Sequence, residues 1–403
     1  MARVRFSLVL VAVLAVAGCG GGLRPPAESG HLLFVRAAGG FAALPYASEG
    51  PSFRAEHAVA APDFSVVATA DPRGGTTVVR RLDRSGNRLD RVVLEGELVP
   101  RVVSPNGDLV ALGAPRIADG APYVPEARAR TNLAVLDAGA DPGGRVREFD
   151  LDGNFEPEAF STDNSELFVI EFLPAVDPER YRVRRLRLAD GRVMPIGRLK
   201  NAAPEQMQGT GRTQVYSPAA DELYTLYTQQ TEPGHAADHR GESAFVHLLN
   251  LDEKWAHCID LPREFGGGSA TASALATSPQ GERLYVADWS NGVVAIVRPY
   301  RLRVARTARI EFGPPDDKTF ARATRDRLYV AGDDTVVVLD LPTLRPVARW
   351  SLGGEIEGLN VGPDGSEIYV SIAGNIKKLD AVTGAVLDSV AVSGAAAIEY
   401  VAP

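Results

Sequence analysis

Apolar residues along this chain come in short runs and never settle into a sustained helical period. From His31 onward, stretches rich in Val, Leu, Ile and Tyr alternate with Gly, Pro, Asp and Asn turns, a pattern that predicts a nearly all-β fold. One element recurs: an apolar strand, a Pro/Asp/Gly turn, then a second strand of aromatic and β-branched residues. The turns stand at Ala61-Pro62-Asp63, Ser104-Pro105-Asn106-Gly107, Ser161-Thr162-Asp163-Asn164, Ser217-Pro218, Ser278-Pro279-Gln280-Gly281, Thr324 and Gly362-Pro363-Asp364-Gly365. Each is followed by a third strand, such as VVAIV or TVVVLD, and by a fourth, such as PVARWSL. Four strands per unit, repeating at roughly 40–45 residues in the shorter units, is the pattern of a propeller blade.

The two ends of the chain supply one more unit. The C-terminal AAAIEYVAP reads as an inner strand that stops where the turn should begin, and HLLFVRA near the N-terminus reads as the strand that comes next. FAALPYA would be its third strand and Ser52 to Arg54 a short fourth. A blade shared by both termini closes the ring and removes the open sheet edge. Eight blades are predicted, with seven as the alternative because the fourth strand of the shared unit is weak and the Thr324 unit lacks its Pro. In this arrangement Ile398 and Val401 are expected to face the central channel.

The runs RLYVADWSNGVVAIV, RLYVAGDDTVVVLD and EIYVSIAGNIKKLDAVTGAVLDSVAV resemble the YVTN-type, WD40-like repeats of bacterial propellers over the last third of the chain. That resemblance implies a fold and a broad family. Such propellers include lactonase-like and quinoprotein-like enzymes as well as binding proteins, so function has to come from the site.

The first residues change the picture of where the protein works. Arg3 and Arg5 precede an apolar run from Phe6 to Ala17 that is too short to span a ~30 Å hydrocarbon core, which reads as an export signal over residues 1–18. Val16-Ala17-Gly18-Cys19 resembles the lipobox of bacterial lipoproteins, which implies lipidation at Cys19 and a mature protein anchored to a membrane on the extracytoplasmic side of the cell envelope. Position 20 is Gly, so an inner-membrane retention Asp is absent. Residues 19–30 would be a tether and 31–403 the propeller. With Cys19 acylated, Cys258 has no partner for an intrachain disulfide, and stability must come from packing.

Composition narrows the partners. The 403 residues are 45% hydrophobic with 40 Gly and 28 Pro, enough for a folded, loop-rich domain. The net charge is −8, and only 5 of the 43 basic residues are Lys, which argues against nucleic acid and leaves the membrane and an unidentified protein or small solute as partners.

Units two to four are longer than the others, with turn-to-turn spacings of about 56 to 61 residues. The surplus falls at Gly113 to Arg130, Leu173 to Arg180, Lys200 to Arg212, Gln229 to Glu242 and Pro262 to Ser269. All five would be connections between second and third strands or between blades, which emerge on one face because successive strands run antiparallel. One-sided elaboration marks a binding surface, and Arg116, Tyr123, His235, His239 and Trp289 are its candidate contact residues.

Chemistry-bearing motifs are sparse. His235, Asp238 and His239 form an H-x-x-D-H cluster, but Pro233-Gly234 breaks any helix that would gather them, so a solvated loop is the reading and no metal is assigned. His257 and Cys258 are neighbours on a strand and point to opposite faces, which makes Cys258 a packed hydrophobe. Asp150-Leu151-Asp152-Gly153 lacks the spacing of a calcium loop and reads as a turn. No catalytic residue and no cofactor are assigned. A binding scaffold is the first reading of function and a lactonase-like or quinoprotein-like enzyme the alternative.

Overall fold

The computed structural model describes residues 30–403 apart from 38, 47–49, 116–125, 140–144, 200–206, 210, 230–243, 270 and 393. Residues 1–29, with Cys19 and the lipobox, lie outside the described residues. His31–Pro403 forms eight sheets, each with four antiparallel strands that in all but the last run in sequence order from the inside outward; the sheet of blade 4 gains a fifth, outer strand, Gly197–Arg198, parallel to Trp255–Asp260. Blade 1 begins at His57–Ala60, blade 2 at Val99–Val103, blade 3 at Asn154–Phe160 and blade 4 at Gly211–Ser217. Blades 5, 6 and 7 begin at Ser273–Thr277, Phe320–Ala323 and Ile356–Val361. Blade 8 takes its inner strand, Ala395–Ala402, from the C-terminus and the others, Leu32–Ala37, Gly40–Pro45 and Phe53–Ala55, from the N-terminus. Leu33 pairs with Val401 and Phe34 with Tyr400 across that junction, so the ring is eight blades and not seven.

The recurring turn has a physical reason. Its first residue turns back on itself: the amide of Gly107 donates to Ser104, that of Gly281 to Ser278 and that of Gly365 to Gly362. Those glycines sit at φ between 72° and 77°, where a side chain would be strained. The Ser hydroxyl then accepts the amide of the next strand, Leu109 from Ser104 at 2.9 Å and Glu166 from Ser161 at 3.0 Å. Ser and Gly three apart are therefore a hinge between the inner and second strands.

The second strands are largely buried because both faces are covered by neighbouring blades; Leu109–Gly113 and Leu284–Asp288 are buried at every position. This explains continuous apolar runs where a two-layer sheet would show alternation. The core is divided into eight clusters, one between each pair of adjacent blades around the ring. Ile398 and Val401 belong to the cluster between blades 7 and 8, with Tyr369 and Ile376, and do not face the channel as the alternation suggested. A bulge at Glu399 shifts the register of that strand, and Glu399 and Tyr400 face the channel.

Candidate functional site

All five long connections fall where the repeat places them. Gly113 to Arg130 and Leu173 to Arg180 join second to third strands in blades 2 and 3, and Pro262 to Ser269 joins blade 4 to blade 5. In blades 6 and 7 the equivalent connections are only Asp333-Asp334 and Ala373-Gly374. Most of the added length therefore lies on one face in blades 2 to 4, although that face also carries the ten-residue connection 310–319 between blades 5 and 6, and the opposite face carries seven-residue connections at 138–144 in blade 2 and 46–52 in blade 8.

Beneath that face the channel wall carries charge, and it does so by a repeated device. Four inner strands contain a bulge, and the unpaired residues at these shifts include Arg101 in blade 2, Glu158 in blade 3, Glu357 in blade 7 and Glu399 in blade 8. A bulge re-aims the side chain it leaves unpaired. Glu156 and Glu158, two apart, would share a face on a regular strand. Instead Glu156 turns to blade 2, where Arg128 Nη1 donates to it at 3.0 Å and Arg101 Nε lies 3.8 Å away. Glu158 turns to blade 4, where it accepts from Arg212 and, at 2.7 Å, from Gln214. The Glu158 and Arg101 side chains are only 4% and 6% exposed, so these are desolvated ions that hold neighbouring blades through matched charge.

The same network reaches the loops. Arg128 Nη2 pairs with Glu126 at 3.1 Å, and the Asn154 amide at the head of blade 3 donates to the carbonyls of Glu126 at 2.6 Å and Ala175 at 3.0 Å. The connections of blades 2 and 3 are thereby tied to one inner strand. Beside them a crevice of 650 Å³ opens between blades 1 and 2, lined by Gly96, Leu98, Ala114, Arg128, Asn132 and Glu148 among others. Its mixture of apolar floor and both signs of charge suits a polar partner surface or a zwitterionic solute.

Arg116, Tyr123, His235 and His239 lie outside the described residues, as does Asp238. Trp289 is corrected: it is 2% exposed, stacks on Phe312 at 4.8 Å and donates its indole N–H to the Pro314 carbonyl at 2.8 Å. It fills the slot between blades 5 and 6 against Gly332, where a Cβ would come within 2.7 Å of the ring, and has no face left for a ligand. Cys258 is half-buried and packs on the cluster between blades 3 and 4. Asp150 and Asp152 are corrected: they lie not in a turn but at the end of the fourth strand of blade 2, Arg145–Asp152, and both accept from Arg130 on the third; only Gly153, at φ 119°, bends away. Among the described residues no group of His, Cys, Asp and Glu has the arrangement of a metal site.

The bulged charges were missed by sequence reasoning. A bulge is visible only in the pairing register, although charged residues inside an inner-strand run, such as VPRVV and NFEPEAF, were the available signal.

No family model matches the chain, and no curated protein does either. Solved structures match its fold. The chain is similar to dihydro-heme d1 dehydrogenase NirN, solved in complex with DHE, at 16% identity over 93% of this chain and 76% of that one, with a TM-score of 0.54. It is also similar to Sqt1 of Saccharomyces cerevisiae, at 10% identity over 84% and 85%, with a TM-score of 0.51. At these identities the likeness is one of fold.

Proposed function

We propose that this protein is a lipid-anchored, extracytoplasmic propeller that binds a protein or solute on the face carrying the long connections of blades 2 to 4. The observation that carries the reading is the coincidence, on one half of one face, of those connections, the 650 Å³ crevice and the ion pairs that fasten the loops to the channel wall. Loops built onto a rigid scaffold are the usual seat of recognition. Cys19 would hold the propeller at the membrane through residues 19–30, leaving the face free to meet its partner.

The enzyme reading, lactonase-like or quinoprotein-like, draws support from the dehydrogenase activity in NirN's name and from the convergence of Arg101, Arg128, Arg212, Glu156 and Glu158 on the channel. Binding is favoured because those carboxylates are already held by guanidinium groups. A metal or quinone bound in the purified protein would reverse the preference.

The test shortens Gly113 to Arg130 and Gln229 to Glu242 to tight turns, separately and together. The expected result is an unchanged circular dichroism melt with loss of partner recovery, since loop length changes closure free energy by only about 1 kcal/mol. Recovery undiminished in the double deletion would refute the face assignment. In parallel, Cys19→Ala should release the protein from the membrane fraction; unchanged membrane association would refute the anchor.

A further inference from the structure

The opposite mouth of the channel, formed by the turns between inner and second strands, has different chemistry. A cavity of 460 Å³ lies there, walled by inner strands of blades 4 to 8 and by the first turn of blade 1. Ala60, Ala61, Ala276 and Ala323 keep it open, and the charged side chains on its wall are Arg322 and Glu399. Glu399 is occupied, since Arg36 Nε donates to it at 2.6 Å. Arg322 is not: among the described residues it forms no ion pair, and it donates only to the carbonyl of Ala321 at 2.8 Å. A guanidinium carries five N–H donors, so most of its capacity faces the cavity. Burial pushes it down to about 10, with Glu399 pulling the other way, and it remains a cation at neutral pH.

A second observation stands on the same cavity. Phe64 occupies the turn position held by Gly107, Gly281 and Gly365 in blades 2, 5 and 7, and it does so at φ 56°. A bulky residue there is strained, because its Cβ crowds the backbone, and such strain persists where the surroundings impose it. The Phe64 ring stacks on Tyr400 at 4.7 Å with an interplanar angle of 7°, and both rings line the cavity. Arg84 lies 6.0 Å from the centre of the Tyr400 ring, adding positive charge at the mouth.

We infer that this mouth is a binding site for a small organic anion, a carboxylate on a flat apolar body, with Arg322 taking the carboxylate and Phe64 and Tyr400 the body. Carboxylate and guanidinium geometries match in a two-bond fork, and a cavity of this size holds a ligand of one or two rings. The site lies on the other face from the long connections and does not depend on the reading of that face.

The experiment titrates 2-naphthoate and the uncharged 2-naphthamide into the purified propeller by calorimetry, with Arg322→Gln and Phe64→Gly as variants. Expected are 1:1 binding of naphthoate with a dissociation constant below 1 mM, at least tenfold weaker binding of naphthamide, and at least tenfold weakening of naphthoate by either variant. Arg322→Gln should melt no lower than the parent, because no carboxylate loses its partner, and Phe64→Gly places at φ 56° the residue that tolerates it. The inference is overturned if naphthoate does not bind at 1 mM, if acid and amide bind alike, or if Arg322→Gln keeps the parental affinity.

Discussion

Blades 2 to 4 and blades 5 to 7 are built on the same four strands and put them to different use. In blades 5 to 7 the connections between second and third strands are tight, although ten residues, 310–319, join blade 5 to blade 6 on the same side; the interblade surfaces are apolar, and Trp289 and Trp350 press onto Gly332 and Gly384. In blades 2 to 4 the connections are long and the inner strands are joined by buried Arg–Glu pairs. Apolar packing closes a ring and is indifferent to direction. Buried ion pairs add direction, because the bulge sends Glu158 to Arg212 of blade 4 while Glu156 accepts from Arg128 of blade 2. The half that carries long loops is thus also the half whose channel wall is held by oriented charges, as a scaffold that must present loops in fixed places requires.

The largest expected effect ignores the difference between the halves. Deleting Ala395 to Pro403 removes the inner strand of blade 8, with buried Ile398, Val401 and Ala402 and the carbonyls that accept from Asn360 at 3.1 and 2.9 Å. The truncated chain should show no cooperative melt. A soluble product melting like the parent would break the ring closure for both halves alike.

Next comes a direct contrast between two channel arginines. Glu158→Leu takes a buried carboxylate away from the Arg212 guanidinium and should cost about 3–5 kcal/mol, part of it regained when Arg212→Met is added. Arg322→Met strands nothing and should leave the urea midpoint unchanged or raise it. Equal losses at both sites would mean that the halves do not differ in the use of charge. Smaller again is Gly332→Ala, whose methyl would meet the Trp289 ring at 2.7 Å and should cost about 1–3 kcal/mol in thermal melts through overpacking; a neutral result would mean that the slot between blades 5 and 6 is looser than described.

The smallest effect is a pH dependence. Burial opposes ionisation of Asp163, but hydrogen bonds from Lys254, Ser161 and Ser165 outweigh it and hold the carboxyl well below the usual carboxylate range. A depressed folded value stabilises above the unfolded pKa of about 4 and is lost as pH falls through the folded one. Lys254 Nζ reaches Asp163 at 2.6 Å and Ser165 at 2.9 Å, strapping blade 4 to blade 3, but Asp163 is half exposed, so the strap contributes no more than about 1 kcal/mol. Lys254→Met should lose that increment at pH 7 and show a shallower loss between pH 4 and 2. Parallel stability curves for parent and variant would remove the strap from the account.

The repeat was legible because its turn needs particular residues: a Ser to cap, a Gly or Asn at positive φ, and a β-branched or aromatic strand after it. The same rule made blade 8 readable from two ends of the chain and placed the longest connections of blades 2 to 4 on one face. Site chemistry was less legible. Arg101, Glu158 and Glu399 look like polar positions in alternating strands until the register shows them unpaired, and a ring must close before Glu158 and Arg212, 54 positions apart, become neighbours. Trp289 misled because an aromatic beside Asn291-Gly292 marks a hairpin end equally well whether its ring faces solvent or the next blade. Phe64 hid in a turn that Pro62-Asp63 already explained.

The central claim is that recognition belongs to the elaborated face of blades 2 to 4. Two exposed valines report on it: Val176, 61% exposed in the blade 3 connection on that face, and Val382, 83% exposed in a blade 7 turn on the other. Replacing each in turn by a photo-crosslinking amino acid, in the native cell, should yield a discrete adduct from position 176 and none from position 382. Adducts from position 382 alone, or from both in equal yield, would contradict the claim.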